Sequence, residues 1–303
     1  MGIIGCDLGS NTLRIVEFDC LSTKRLKSFE KIVRTAKDLH TTGMISEESI
    51  QRILSALQEA STQFDFRQTP TFCVTTEAMR VTKNSCDVLE KIDKEFGLKF
   101  RIISGNEEAY LTSLAIENAL KREQLDDKNY VLFDLGGGST ELTFCKNGAK
   151  KSHSFPFGII NTAERFHENL EEHIARMIED ISPFIQSFDA IPQEFLQLVT
   201  TAGTPTTVAA FLQGMDYANY DPERVNGQIL HIHDFDTAFH DLRALNHEEA
   251  ERFTGTNRRD FVVVGILIVK ALMKKLGFET CVVIDDGLRE GVVLEQCYKM
   301  DKM

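Results

Sequence analysis

The sequence predicts an α/β protein made of two related halves, and three observations carry that prediction. Apolar runs of strand length alternate with segments of helical period, as strands alternate with helices in α/β proteins. The run Ile3–Leu8 and the run Tyr130–Leu135 both end in the same triplet, as Asp7-Leu8-Gly9 and Asp134-Leu135-Gly136. Each triplet leads through a turn of small and hydroxyl residues into a second strand, so one supersecondary unit occurs twice.

In the first half, Ile3–Leu8 reads as a buried strand and Gly9-Ser10-Asn11 as a turn. Leu13, Ile15, Val16 and Phe18 then form the second strand of a hairpin. Ser46 is placed to cap a helix whose Ile50, Ile53, Leu54, Leu57 and Phe64 share one face. Phe72–Thr75 is a short strand. Ser85–Phe96 is a helix that ends at Gly97, because glycine adopts the left-handed C-cap conformation without a Cβ clash. Phe100–Ile103 is a strand, and Asn106 is expected to cap a long helix reaching Arg122. The charged stretch Glu123–Asn129 reads as a linker, giving domains 1–122 and 123–303.

In the second half, Tyr130–Leu135 is a buried strand, and Glu141–Phe144 returns after the glycine-rich turn. Phe195–Thr200 is a strand that runs through Ala202-Gly203-Thr204-Pro205 into a helix ending near Leu212. Phe261–Leu276 is a buried helix, Thr280–Ile284 a strand, and the tail from Leu288 helical.

Composition narrows the function. With 303 residues, 42% hydrophobic and 26% charged, the chain can fill two cores of ordinary size. A net charge of −12 argues against a nucleic-acid surface, which needs a basic stripe. The same charge slows encounter with an anion, so an anion site must rest on backbone N–H groups, a few arginines and a divalent cation. The apolar run Phe261–Val269 falls short of the ~20 residues that span a membrane. Residues Met1–Asp7 lack a basic n-region, and Cys6 stands where a myristoylation signal needs Ser or Thr. A cytoplasmic protein without membrane or nucleic-acid partners is expected. Cys6, Cys20, Cys73, Cys86, Cys145, Cys281 and Cys297 are scattered, odd in number and without C-x-x-C, so reduced thiols are expected rather than a zinc ribbon or disulfides.

Gly136, Gly137 and Gly138 let the backbone turn tightly and approach an oxygen, and successive N–H groups can then cradle a phosphate. Ser139 and Thr140 add hydroxyl donors, and Gly9-Ser10-Asn11-Thr12 offers the same resources. There is no G-x-x-x-x-G-K-[ST], no G-x-G-x-x-G and no G-x-S-x-G, which disfavours P-loop, Rossmann and serine-hydrolase chemistry. Asp7 and Asp134 each end a strand at a phosphate turn. A lone Asp there is more often a turn cap, but carboxylates beside an anion site imply a cation, and Mg²⁺ suits oxygen ligands. Asp134 and Glu141 are the pair placed to share that ion.

Glu107 and Glu108 lie in the first turn of a helix, where the dipole alone favours them. One of them facing the site could take a proton from an attacking water. Arg80 is placed for phosphate, with Arg258, Arg259 and Arg289 as further candidates. The His231/His233 pair suggests surface or packing roles, since no third metal ligand is evident.

Asp7–Thr12, Ser104-Gly105-Asn106-Glu107-Glu108-Ala109 and Asp134–Leu142 occur in an order and spacing that resemble the exopolyphosphatase and guanosine pentaphosphate phosphohydrolase family. Phe155-Pro156-Phe157-Gly158, Glu164-Arg165-Phe166 and Leu288-Arg289-Glu290-Gly291 are similar to further family segments, so the likeness runs nearly the whole chain. The resemblance implies a duplicated actin-like (ribonuclease H-like) fold with an interdomain cleft, and a terminal helix, about 288–303, packed back on the first domain. It implies Mg²⁺-assisted hydrolysis of the terminal phosphate of inorganic polyphosphate or of guanosine pentaphosphate, with homodimerisation left open. Glu108 would be the general base. Asp134 and Glu141 would assist catalysis and bind the metal, Asp7 would lie opposite, and Arg80 would sit near the phosphates. The alternatives are a non-catalytic guanosine tetra- or pentaphosphate sensor and an ATP-dependent kinase of the same superfamily. Longer members carry extra C-terminal helical domains, so a short or different substrate is expected here. Pro205 also departs from the family's glycine loop.

Overall fold

The computed structural model describes residues 2–165, 169–188 and 196–300. The chain divides into two compact units, one of residues up to Ala115 together with those from Gly287, the other Ile116–Asp286. The first carries β1 (Gly2–Leu8), β2 (Thr12–Asp19), β3 (Lys24–Ile32), α1 (Leu39–Thr42), α2 (Glu47–Ala60), β4 (Thr71–Thr75), α3 (Glu77–Val81), α4 (Ser85–Phe96), β5 (Phe100–Ile102) and the first part of α5 (Gly105–Arg122). The second carries the rest of α5, β6 (Tyr130–Leu135), β7 (Thr140–Lys146), β8 (Ala149–Phe155), α6 (Ile159–Arg165), α7 (Leu170–Gln186), β9 (Gln197–Thr201), α8 (Gly203–Leu212), α9 (Pro222–Val225), β10 (Gln228–His231), α10 (Ile232–Ala244), α11 (His247–Thr254), α12 (Arg259–Leu276) and β11 (Thr280–Val283). The final helix, α13 (Leu288–Met300), belongs to the first unit.

The two sheets share one plan. The first has the order β3-β2-β1-β4-β5 and the second β10-β11-β9-β6-β7-β8. In each, the first three strands form an antiparallel meander, β1–β3 or β6–β8. Two further strands then run parallel to its first strand, β4 and β5 or β9 and β11. The second sheet adds β10, antiparallel to β11. This is the duplicated actin-like α/β fold.

Local chemistry accounts for most element ends. Ser46 caps α2 by accepting the Ser49 N–H at 3.2 Å. Gly97 ends α4 at φ 70° and returns its N–H to Asp93 O at 2.8 Å. The expected cap of α5 is displaced: the helix begins at Gly105, and Ser104 Oγ, not Asn106, accepts the Glu107 N–H. His231 ends β10 and His233 lies in α10, with their rings stacked at 5.1 Å. No three metal-ligating side chains converge anywhere among the described residues.

In the first unit, one sheet face buries Ile4, Leu13 and Ile15 with Ile53 and Leu57 of α2 and Val88 and Ile92 of α4. The other face buries Ile3, Val16 and Phe18 with Ala115 of α5 and Val293 and Leu294 of α13. A Cβ on Gly291 would lie 1.9 Å from Leu111 O, so α13 approaches α5 at a distance that excludes any side chain there. The expectation of reduced thiols fails at one pair: Cys20, just after β2, is bonded to Cys297 of α13 across 277 residues of sequence. The spacing gave no warning because the partners meet only when the two ends of the chain share one sheet face. The second unit's larger core gathers Val131, Phe133 and Leu142 with Val264, Ile268 and Leu272 of α12. Among the described residues no helix is long and apolar enough to cross a membrane.

Candidate active site

The two glycine-bearing turns are built alike. Gly9 N–H bonds to Thr12 O at 2.9 Å, and Gly136 N–H to Ser139 O at 3.0 Å. In both, the segment after the third strand binds the turn's carbonyls. Val33 and Arg34 N–H donate to Asn11 O at 2.8 and 2.9 Å, and Ala36 N–H to Ser10 O at 2.9 Å. Ile159 N–H donates to Gly136 O at 3.0 Å and Ile160 N–H to Gly137 O at 2.8 Å. Asn161 Nδ2 donates to Gly138 O at 2.9 Å. In a trans peptide N–H and C=O point opposite ways. With the carbonyls of 136–138 turned toward α6, the N–H groups of Gly137, Gly138 and Ser139 face the other side as a nest for anionic oxygens. Contact at this seam is close, because a Cβ on Gly158 would sit 2.5 Å from the carbonyl carbon of Gly137.

The residue opposite each aspartate differs. Asp7 pairs in register with Arg14, whereas Asp134 pairs with Glu141. Register partners in an antiparallel pair share one face with Cβ atoms about 5 Å apart. The first turn therefore sets a cation beside its aspartate, with Arg14 Nε also 2.9 Å from Glu30. The second sets two carboxylates side by side, and Ser154 donates its hydroxyl to Glu141 Oε1 at 2.6 Å. Glu141 is almost wholly buried. Like charges this close favour a cation between them. Two hard oxygen donors next to a phosphate nest suit Mg²⁺, so the residues present fit that ion.

In the first unit the candidates gather at the carboxyl ends of the parallel strands, where α/β sheets present their ligand sites. Asp7 is near the end of β1, Arg80 is on α3 after β4, and Glu108 is in the first turn of α5 after β5. Thr75 ties the first two ends together by donating to Leu8 O at 2.7 Å. Of the two adjacent glutamates, Glu107 is the outer one, paired with Arg101 at 2.6 Å. Glu108 is buried and accepts from Arg80 Nη1 at 2.9 Å. Arg80 also holds Ile103 O at 2.8 Å and Glu77 at 2.9 Å. Burial alone would ease the proton off this guanidinium, but Glu108 and Glu77 outweigh it and hold its pKa above the usual arginine value. The sequence reading placed Arg80 and Glu108 separately and missed their bond, and it missed Glu77, which only its i,i+3 spacing from Arg80 could have signalled.

Other sequence candidates fall into place around these. Ser10, Gly138 and Ser139 are buried, while Asn11, Thr12, Gly136 and Gly137 are half-buried. Thr140 is fully buried and donates its hydroxyl to Phe157 O at 2.8 Å, so that proton holds the loop. Arg258 is buried with its guanidinium against Gly203 and 5.8 Å from the Tyr217 ring. Arg289 pairs with Glu290 at 2.7 Å, and Glu290 in turn with Arg25 at 3.1 Å. Pro205 lies in the first turn of α8, where an amide hydrogen has no helical acceptor, so the proline removes no bond. The preceding Ala202 takes φ 72°, a strained value without a glycine. Phe166 and Phe195 lie outside the described residues.

The profile of the Ppx/GppA phosphatase family matches residues 15–300, nearly the whole chain. The chain belongs to the Ppx/GppA phosphatase family. Within reach of this family is the bifunctional 3-dehydroquinate synthase/phosphatase of Fusobacterium nucleatum, 25% identical over 309 residues, covering 95% of this chain and 46% of that protein. The guanosine-5'-triphosphate,3'-diphosphate pyrophosphatase of Photobacterium profundum is 26% identical over 312 residues, covering 97% of this chain and 59% of its own. The chain thus spans about half the length of these curated relatives. A crystal structure of the Aquifex aeolicus Ppx/GppA family member superposes with a TM-score of 0.75 at 27% identity, covering 99% of each chain. The exopolyphosphatase of Cytophaga hutchinsonii shares the fold, with a TM-score of 0.85 at 23% identity over 99% of this chain and 98% of that one.

Proposed function

We propose that this chain hydrolyses the terminal phosphoanhydride bond of inorganic polyphosphate, and the 5'-terminal phosphate of guanosine pentaphosphate, by direct attack of water. The observation that carries the reading is the Asp134–Glu141 pair on the hairpin whose turn forms the Gly137–Ser139 nest. Phosphoryl transfer needs mainly positioning and neutralised charge, and this hairpin offers both. In the second unit the nest N–H groups and the Ser139 hydroxyl take phosphoryl oxygens, and in the first the Ser10-Asn11-Thr12 turn and the charged Arg80 are the phosphate donors. Glu108 orients a water and accepts its proton as the water oxygen bonds to the terminal phosphorus and the bridging P–O bond breaks. Orthophosphate leaves, and the shortened chain or nucleotide keeps the bridging oxygen. Asp134 and Glu141 are the residues that would hold Mg²⁺, which would supply charge neutralisation when bound. Guanosine pentaphosphate is included because the Photobacterium relative is named for that nucleotide.

The test is orthophosphate release with Mg²⁺ from polyphosphate, guanosine pentaphosphate and ATP. Release from either of the first two without an acceptor supports hydrolysis. Tight nucleotide binding with no release from any substrate would make the chain a sensor, and ATP consumption only with an acceptor would make it a kinase. Glu108→Gln should lower turnover by 10²–10⁴-fold, the usual range for a lost general base, and still bind substrate.

A further inference from the structure

Glu77 is a carboxylate of the site to which the reading above gives no role. Glu77 opens α3 three residues before Arg80, and its Oε2 takes both Arg80 Nε at 2.9 Å and Nη2 at 2.8 Å. This grips one whole edge of the guanidinium. Arg80 Nη1 donates to Ile103 O at 2.8 Å and to Glu108 Oε2 at 2.9 Å. Three N–H groups of Arg80 are thereby hydrogen-bonded, and Nη2, ion-paired with Glu77, keeps an N–H for a further acceptor.

We infer that Glu77 is a positioning residue which fixes Arg80 so that its outer edge can exchange Glu108 for a phosphoryl oxygen when substrate arrives. The inference rests on the proposed function and deepens it. A carboxylate bonded to a guanidinium is a poor proton acceptor. Glu108 in the arrangement seen is therefore restrained, and it becomes an effective base when Arg80 turns its bond to the incoming phosphate. The side-on grip of Glu77 and the backbone carbonyl of Ile103 keep the guanidinium plane in place during that exchange. The spare Nη2 N–H and the Nη1 N–H released by Glu108 then present a fork to the phosphate. With Glu77 removed, Glu108 is the sole anion on Arg80, and the substrate must compete with it for a less constrained side chain.

The experiment compares Glu77→Gln, Arg80→Met, their double variant and Glu108→Gln, with KM and kcat on polyphosphate and melting temperature for each. Glu77→Gln should raise KM about tenfold with kcat within about twofold and an unchanged melting temperature. In the Arg80→Met background it should change KM no further, because its route to the substrate is gone. A wild-type KM in Glu77→Gln overturns the inference. So do KM increases that multiply in the double variant, because Glu77 would then act independently of Arg80. The Glu108 variant separates the two readings. If Glu108→Gln loses turnover while Glu77→Gln keeps a wild-type KM, only the positioning role falls. If Glu108→Gln turns over normally, the base assignment falls whatever Glu77 does.

Discussion

Asp134 and Glu141 stand directly opposite each other on β6 and β7, whereas the matching positions of the first hairpin hold Asp7 and Arg14. The duplication has kept the turn and changed the charge. One hairpin sets a cation across from its aspartate, and the other sets a second carboxylate there.

That contrast predicts where the metal acts. In the wild type, Mg²⁺ added with orthophosphate should raise the melting temperature, because a ligand that binds only the folded state stabilises it. Asp134→Asn and Glu141→Gln should each remove most of that rise and increase the Mg²⁺ needed for half-maximal activity at least tenfold. Asp7→Asn should leave the Mg²⁺ requirement within a few-fold of wild type, since Arg14 already faces that position. A full Mg²⁺-induced rise in both second-hairpin variants would move the metal elsewhere.

Gly158 should be irreplaceable for a steric reason. Its φ is open to any residue, but a Cβ would lie 2.5 Å from Gly137 C and 2.6 Å from Gly136 O. The loop must therefore retreat in Gly158→Ala. Overpacking of this kind costs about 1–3 kcal/mol. The expected result is a modest fall in melting temperature with at least a tenfold loss in kcat/KM, because the atoms displaced are those of the nest. Full activity in the variant would mean that the loop does not hold phosphate.

The Cys20–Cys297 bond should matter to stability rather than to chemistry. It joins Cys20, just after β2, to α13 within the first unit. Restraining a very long loop of unfolded chain contributes about 2–5 kcal/mol. A reductant should lower the melting temperature of the oxidised protein by on the order of 10 °C. Cys297→Ala should melt at the reduced value and ignore reductant. Scanning calorimetry with and without a phosphine reductant decides it, and equal melting temperatures would show that the bond contributes nothing.

What the sequence revealed depended on burial. Strands covered on both faces, such as Ile3–Leu8 and Tyr130–Leu135, are continuous apolar runs and were legible. The strands that went unread, β3 and β8, lie at sheet edges. In β3 only Phe29 is buried, so alternation hardly shows among Lys24, Arg25, Lys27 and Lys31. At the candidate site, the carboxylates and glycines stood out because the same Asp-Leu-Gly triplet ends two apolar runs. Local sequence could not show that Asp7 faces Arg14 while Asp134 faces Glu141, because register is set by pairing. Nor could it show that Glu108 is bonded to Arg80, since the two are 28 residues apart with α4 and β5 between them.

Alkaline pH should weaken the protein in part through Cys281. This thiol is buried in the second unit's core, and burial pushes its pKa from the ordinary 9.0 up to about 12. The folded state therefore keeps a proton that the unfolded chain gives up. Stability from this group is fully present below about pH 9 and is lost as pH rises toward 12. The loss approaches about 1.4 kcal/mol per pH unit once the unfolded thiol is ionised. Cys281→Ala will be less stable at neutral pH because it opens a cavity, so the informative quantity is the slope. Urea unfolding between pH 8 and pH 11 should show free energy falling less steeply in Cys281→Ala than in the wild type. Parallel slopes would show that the thiol titrates normally, and a fast reaction of the native thiol with iodoacetamide would say the same by an independent route.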